Sequence, residues 1–344
     1  MTLSNVWFVI VAFFWTGFFV LEGFDFGVGA LHKVVGRTDL ERRVAINTIG
    51  PVWDGNEVWL VVAGASMFAA FPPWYATWFS ALYLALWLLL AALIVRGVSF
   101  EFRGKSDRPG WRAIWSWTLT IGSVLAPVLF GVGLGDLLAG LPIDAEGDFT
   151  GSFLDLLTGY GVFVGVTLLT LCLFHGATFL SIRSTGVVRD RSQALAGRLS
   201  LPAAALVAGF VVWTYALARP GIWAVLALAV PLLAVAIAVP LVRGNRSGGR
   251  AFAATAVSIG GVIAGLFACL FPRLLISTTD SAYTLTVGNS TASSYSLQVM
   301  TIVAAVMVPL ILLYQGWTYY VFRARVVGPS RTADDKVGND VIGG

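Results

Sequence analysis

Four carboxylates lie in or beside the first two apolar stretches of this 344-residue chain. Glu22 and Asp25 follow the uncharged run 6–21, in Leu21-Glu22-Gly23-Phe24-Asp25-Phe26-Gly27, and helix-like sequence continues to about Gly29. Asp54 and Glu57 stand with Trp53, Gly55 and Asn56 in the next apolar segment. Each pair is spaced i, i+3, so its two side chains share one helical face. An ionised carboxylate at membrane depth is costly unless it is paired, hydrated or protonated. The chemistry such a cluster points to is a path for protons or cations. The competing reading for Asp54 and Glu57 is an ion pair with an arginine from a neighbouring loop, such as Arg96.

The elements that hold these groups must cross a bilayer. The chain is 58% hydrophobic and 12% charged, with a mean hydropathy of +0.83. Soluble domains carry about 25% charged residues. The first apolar run lacks a preceding basic region and ends in acids, so no cleavable signal is expected. Only Lys33, Lys105 and Lys336 are lysines, and the bias to Arg, Ala, Gly and Val suits a GC-rich bacterial genome. Cys172 and Cys269 both fall in apolar runs and read as small buried residues, not a disulfide framework or a metal motif.

Runs of about 20 apolar residues mark spans, and nine are expected: 6–29, 46–71, 76–95, 113–135, 153–180, 200–217, 221–242, 252–272 and 297–322. Phe71-Pro72-Pro73-Trp74 and Arg219-Pro220-Gly221 read as tight hairpins between spans two and three and between six and seven. Lys and Arg alternate accordingly. Loops one, three, five and seven and the tail hold twenty of them, including Lys33, Arg42, Arg43, Arg103, Arg191, Arg246, Arg331 and Lys336. The other side keeps Arg219 and Arg273. The bias places the amino terminus outside and the carboxyl terminus in the cytoplasm. Glu22, Asp25, Asp54 and Glu57 then lie in the cytoplasmic half, with Asp54 roughly 12 Å in from its helix start.

The fold class expected is an all-α polytopic membrane protein with nine transmembrane helices. Residues 1–135 would form a first four-helix bundle and 153–272 a second. A peripheral ninth helix would occupy 297–326, with outer loops at 136–152 and 273–296 and a cytoplasmic tail at 327–344. Glu22-Gly23-Phe24 and His175-Gly176-Ala177-Thr178-Phe179 each set an ionisable residue and a Gly near a Phe at an inner helix end, which suggests a parallel internal repeat. The acids of 136–152, Asp136 among them, and the Ser/Thr-rich 273–296 read as solvated loops without chemistry. Asn289-Ser290-Thr291 matches a glycosylation sequon that is incidental in a bacterial protein. Gly23-x-x-x-Gly27, Gly161-x-x-x-Gly165 and Gly261-x-x-x-Gly265 are helix-packing motifs.

Cofactor motifs are sparse. Of two histidines, His32 is at the membrane edge and His175 is inside; Met67 lies far from His175 in depth. No His pair spans facing helices, so a bis-His haem is not expected. A single His-ligated haem stays open at this point. His175 reads first as a polar residue bonded between helices or a relay member. No nucleotide fingerprint or paired-Cys site is present, no metal site is assigned, and no nucleic-acid partner is expected.

Leu21 to Arg103 resembles subunit II of the cytochrome bd-type quinol oxidases. The blocks that carry the resemblance are Glu22-Gly23-Phe24-Asp25-Phe26-Gly27-Val28-Gly29, Glu41-Arg42-Arg43 with Ile46-Asn47, Pro51-x-Trp53-Asp54-Gly55-Asn56-Glu57-Val58-Trp59-Leu60, and Arg96-x-x-x-Phe100-Glu101-Phe102-Arg103. Beyond about residue 110 only the span layout and His175-Gly176-Ala177 support it. The resemblance implies an enzyme that oxidises quinol and reduces dioxygen to water in the bacterial cell membrane. It implies that haem b and haem d reside in a partner, subunit I, and that this chain binds none itself. A small single-helix subunit accompanies many members, and some hold a structural quinone in this subunit. Asp54 would be the proton-path acid, aided by Asp25, with Glu22 standing where many relatives have Asp. Glu57 joins the proposed path, and Trp53, Asn56, Arg96, Glu101, Arg103 and His175 would be supporting or structural. The alternative from another class is a proton-coupled secondary transporter, and a third reading is a passive assembly scaffold.

Overall fold

The computed structural model describes residues 2–244 and 248–327. Arg246, Arg331, Lys336 and all but the first residue of the expected tail lie outside the described residues. The chain is built of α1 (Leu3–Val35), α2 (Asp39–Asn47), α3 (Trp53–Ala70), α4 (Pro72–Ala81), α5 (Tyr83–Phe102), α6 (Pro109–Ala139) and α7 (Gly159–Arg183). Then follow α8 (Gly186–Ala218), α9 (Ile222–Arg243), α10 (Gly248–Leu270), β1 (Arg273–Leu275), β2 (Leu285–Thr286), α11 (Val287–Ser290) and α12 (Ser294–Val321). Among the described residues eight helices, α1, α5 to α10 and α12, are long and apolar enough to cross a membrane. The remaining expected span, the second (46–71), corresponds to α3, which is outside that set because Asp54, Asn56 and Glu57 crowd its first turns.

Local chemistry explains where the helices break. Thr38 opens α2 with a capping box: its hydroxyl accepts from Glu41 N at 3.2 Å while the Glu41 carboxylate accepts from Thr38 N at 3.2 Å. The Gly50-Pro51 step then interrupts the chain, and α3 starts afresh at Trp53. The span expected from residue 46 therefore does not run through. Asp54 lies in the first turn of α3 and is exposed, not buried 12 Å inside a helix. Pro72 sits at the start of α4, as the hairpin reading required. At the other hairpin Arg219 closes α8 with a left-handed backbone (φ 46°). The span expected from residue 153 begins later, with α7 at Gly159. Helix α8 runs back to Gly186 and carries Arg189, Arg191 and Arg198 on its first turns.

Helix α1 is the hub, packed against α3, α6, α7 and α10. It meets α7 backbone to backbone: a Cβ added at Gly27 would lie 2.0 Å from Cys172 O and 2.7 Å from Gly176 Cα. Only glycine permits this approach. Gly161 and Gly165 of α7 pack likewise on Gly135 and Gly131 of α6.

The two segments expected to be solvated loops fold together over the face opposite the arginine-rich connections. Strands β1 and β2 pair antiparallel, Leu141 bridges to Ser277, and the Ser277 hydroxyl donates to Ile143 O at 2.9 Å. Leu141, Ile143, Leu274 and Leu275 are fully buried beneath them. Asp136 is not in a loop at all: it ends α6, is fully buried, and accepts a 2.6 Å hydrogen bond from the Thr158 hydroxyl. The apolar residues interleaved with the acids drive this collapse; half-buried Asp144 accepts from the backbone of Glu146 and Asp148, and the Glu146 and Asp148 side chains are exposed.

Candidate functional site

The polar faces of α1, α3 and α5 converge on Arg96. Its Nη2 contacts Glu22 Oε1 at 2.7 Å and its Nη1 donates to Glu57 Oε1 at 2.7 Å. Its Nε donates to the Ser123 hydroxyl at 3.2 Å. Arg96, Glu22 and Asp25 are completely buried, and Glu57 is about a quarter exposed at 26%. The guanidinium also sits over the rings of Phe26 and Phe100, with centroids at 4.8 and 5.4 Å, which complement a cation without competing for its hydrogens. Gly122 of α6 makes room, since a Cβ there would meet Arg96 Cβ at 2.8 Å.

Asp25 is reached from α3 and, through it, from α12. Asn56 Nδ2 donates to Asp25 Oδ2 at 2.6 Å and to Leu21 O at 3.3 Å. Its Oδ1 accepts from Gln315 Nε2 at 2.8 Å and from the Tyr319 hydroxyl at 2.9 Å. No donor among the described residues reaches Asp25 Oδ1 or Glu22 Oε2, and the two carboxyls lie close enough to share a hydrogen bond when one of them is protonated.

The other expected residues separate into two groups. Trp53 stacks on Phe100 with centroids 4.6 Å apart, which ties the start of α3 to α5 beside the cluster. Arg103 is ion-paired with Asp39 and donates from Nε to Ser116 at 2.8 Å. Asp54 and Glu101 are exposed, and Asp54 has no ion-pair or hydrogen-bond partner among the described residues. His175 is away from the acids in a closed neutral cluster. Its Nε2–H donates to Val20 O at 3.2 Å, so Nδ1 accepts from Thr255 at 2.7 Å. Its ring stacks on Phe252 at 4.5 Å.

Those contacts bear on haem. Both nitrogens of His175 are engaged within the protein, and Met67 Sδ accepts from Trp15 Nε1 at 3.2 Å. Ligation by either would first break these bonds, so neither fits an axial position. Among the described residues no group of three His, Cys, Asp or Glu is placed to hold a metal ion.

Ser123, Gln315 and Tyr319 were not anticipated. Ser123 and Tyr319 resemble many other polar residues of apolar helices. Gln315 is one of two amides in the last apolar run, Gln298 being the other near its start, and an amide well inside that run was the one available signal.

With this geometry in hand, comparison with known proteins becomes decisive. The profile of the cytochrome bd terminal oxidase subunit II family matches residues 3–322. The chain belongs to that family. As a family member it is an integral membrane subunit of an oxidoreductase complex, and its partner is a subunit I. It is 39% identical over 329 residues to the cytochrome bd ubiquinol oxidase subunit 2 of Bacillus subtilis, covering 94% of this chain and 97% of that one. It is 35% identical over 360 residues to the cytochrome bd-I ubiquinol oxidase subunit 2 of Escherichia coli, covering 94% and 95%. Its fold resembles a chain of the bd oxidase structure from Geobacillus thermodenitrificans, with a TM-score of 0.73, 17% identity and coverage of 93% and 97%. Subunit II membership also sets aside the transporter alternative.

Proposed function

We propose that this subunit II supports a haem-bearing subunit I and supplies the path by which protons from the cytoplasm reach the site of dioxygen reduction. The observation that carries this reading is a charge count. Glu22 and Glu57 both contact the single guanidinium of Arg96, and Asp25, buried on the same face of α1 as Glu22, lies within its electrostatic reach. Fully ionised, the cluster would hold a net charge of minus two in a low dielectric, which a captured proton relieves. Dioxygen reduction consumes protons, so such groups belong on its supply line. Asp54 is the uptake residue, exposed in the first turn of α3 and within electrostatic reach of Glu57 one turn on. Glu57, Glu22 and Asp25 are the inner stations. Arg96, Asn56, Trp53, Arg103, Glu101 and His175 are supporting.

The same reading counts α3 as a ninth span, its polar first turns shielded by α1, α5 and the partner. It sets the amino terminus outside and the carboxyl terminus in the cytoplasm, on the Lys/Arg bias. It treats α1 to α6 and α7 to α10 as parallel repeats, since α1 packs on α3 and α6 as α7 packs on α8 and α10. The α1–α7 contact pairs Gly27 with Gly176, one helical turn from the register in which Gly23 matches Gly176. Haem b and haem d belong to subunit I. A cavity of about 440 Å³ bounded by Trp15, Tyr75, Trp78, Phe79, Phe130 and Leu156 suits a lipid or quinone tail. A small single-helix subunit completes the assembly.

Asp54→Asn in the assembled complex tests the path. Asparagine keeps shape and hydrogen bonding but carries no ionisable proton. Steady-state oxygen consumption should fall at least about tenfold, equivalent to roughly 1.4 kcal/mol in the barrier. Haem content should stay near wild type. Loss of the complex with normal turnover per remaining haem would instead make Asp54 structural.

A further inference from the structure

Proton supply through α1, α3 and α5 leaves unexplained why α12 sends two polar side chains to the same atom. Helix α12 is otherwise loosely seated. Leu297 is its single buried residue, and Leu310, Leu313 and Trp317 are exposed. A cavity of about 190 Å³ lies between it and α3, lined by Phe14, Trp59, Val308, Ile311 and Gln315 among others. Yet Gln315 and Tyr319, one turn apart, both bind Asn56 Oδ1, at 2.8 and 2.9 Å.

A primary amide has two acceptor lone pairs and two donor hydrogens. Here all four are used: α12 fills the oxygen, while the nitrogen donates to Asp25 Oδ2 and Leu21 O. The orientation of the amide is therefore set from both ends. Turning it over would place its oxygen against Asp25 and its NH2 against two other donors.

We propose that Gln315 and Tyr319 are positioning residues for Asp25: by occupying the Asn56 oxygen they keep the Asn56 NH2 on the Asp25 carboxylate. This rests on the reading of Asp25 as a proton station. An NH2 group stabilises the ionised acid, which is the form that can receive the next proton. Freed from α12, Asn56 can present its oxygen instead. That oxygen accepts a hydrogen bond only from the protonated acid, so the proton is retained and onward transfer slows. No proton is gained or lost overall. One arrives at Asp25, one leaves, and α12 sets how readily it leaves.

The test uses the complete oxidase carrying Tyr319→Phe, Gln315→Leu or both. Tyr319→Phe preserves the ring and its edge contact with Phe24, whose centroid lies 6.4 Å away, and deletes only the hydroxyl. Each single variant should lower kcat by about two- to fivefold and the double by about tenfold, the scale of one and two hydrogen bonds. KM for quinol and haem content should not change. Infrared difference spectra should gain a protonated-carboxyl band that disappears when Asp25→Asn is added. Normal turnover in an assembled double variant overturns the proposal, as does slow turnover without the carboxyl band. Should the double variant fail to assemble, Tyr319→Phe decides alone, and unchanged turnover and spectrum overturn the proposal. If Asp25→Asn by itself leaves turnover at the wild-type level, the proton-station reading falls, whatever α12 does.

Discussion

Two buried polar clusters lie on either side of the α1–α7 contact. On α1, Glu22 shares Arg96 with Glu57, Asp25 accepts from Asn56, and both α1 acids retain an oxygen that no donor among the described residues reaches. On α7, His175 has both nitrogens bonded, to Val20 O at 3.2 Å and to the Thr255 hydroxyl at 2.7 Å, and Thr178 donates to His175 O at 2.8 Å. Glu22, Asp25 and Arg96 in the one and His175 in the other are all fully buried. The difference is saturation. A polar network with every valence filled locks helices together and has little capacity to accept anything. A network with open oxygens and excess negative charge holds that capacity. Burial alone therefore does not tell the two clusters apart; the oxygens left open in the first do.

The comparison breaks most severely at Arg96. Arg96→Gln leaves buried Glu22 and Asp25 and partly buried Glu57 without a cation, which should cost about 3–5 kcal/mol and deplete the assembled complex. Thermal unfolding of the purified oxidase, with haem per protein, measures this. Normal assembly would mean that the carboxyls do not depend on the guanidinium. A milder outcome is expected across the α1–α7 contact. His175→Ala should cost about 1–3 kcal/mol in stability, from the bonds and packing lost. Turnover per haem and the haem absorption spectrum should stay as in wild type. A missing haem band with intact assembly would contradict the assignment of this cluster as structural.

The smallest effect sharpens the contrast from outside the membrane. Glu41 is buried, which favours its protonated form. Donors from Arg37 N at 2.5 Å, Thr38 N at 3.2 Å and Arg191 Nη1 at 2.7 Å outweigh this and hold its carboxyl below the usual range. A folded-state value below the unfolded one stabilises above the unfolded pKa of about 4.3, and the gain is lost as pH falls through the lower folded value. Glu41→Gln should cost about 1 kcal/mol at neutral pH and progressively less in acid. A cost that persists unchanged in acid would show that the ion pair with α8 contributes nothing.

Much of this was legible in the chain. Hydropathy located the long helices, and Gly27, Gly161 and Gly165 stand at the close helix contacts their spacing suggested. The clustering of acids with Arg96 was visible as an alternative for Glu57 and proved to include Glu22. What escaped was long-range. Asn56 meets Gln315 and Tyr319 only because α12 returns to α3 across the whole fold, and no local pattern encodes that. The depth of Asp54 was misjudged because one Gly-Pro step resets the helix start. Asp136 looked solvated because loop polarity hid the apolar residues that bury it.

Helix α1 also carries a consequence for how the protein is made. Glu22 and Asp25 emerge well before Arg96, the cation that their cluster requires. At roughly 5–20 residues per second, the intervening 74 residues (96 − 22) take about 4–15 seconds to synthesise. Through that interval the first helix holds acids that the bilayer core does not tolerate unpaired. The turns of α1 that carry them are costly to bury in the bilayer until α5 arrives with Arg96. The first span translated is thus among the last to settle, and insertion of the amino-terminal third is a joint event of several helices.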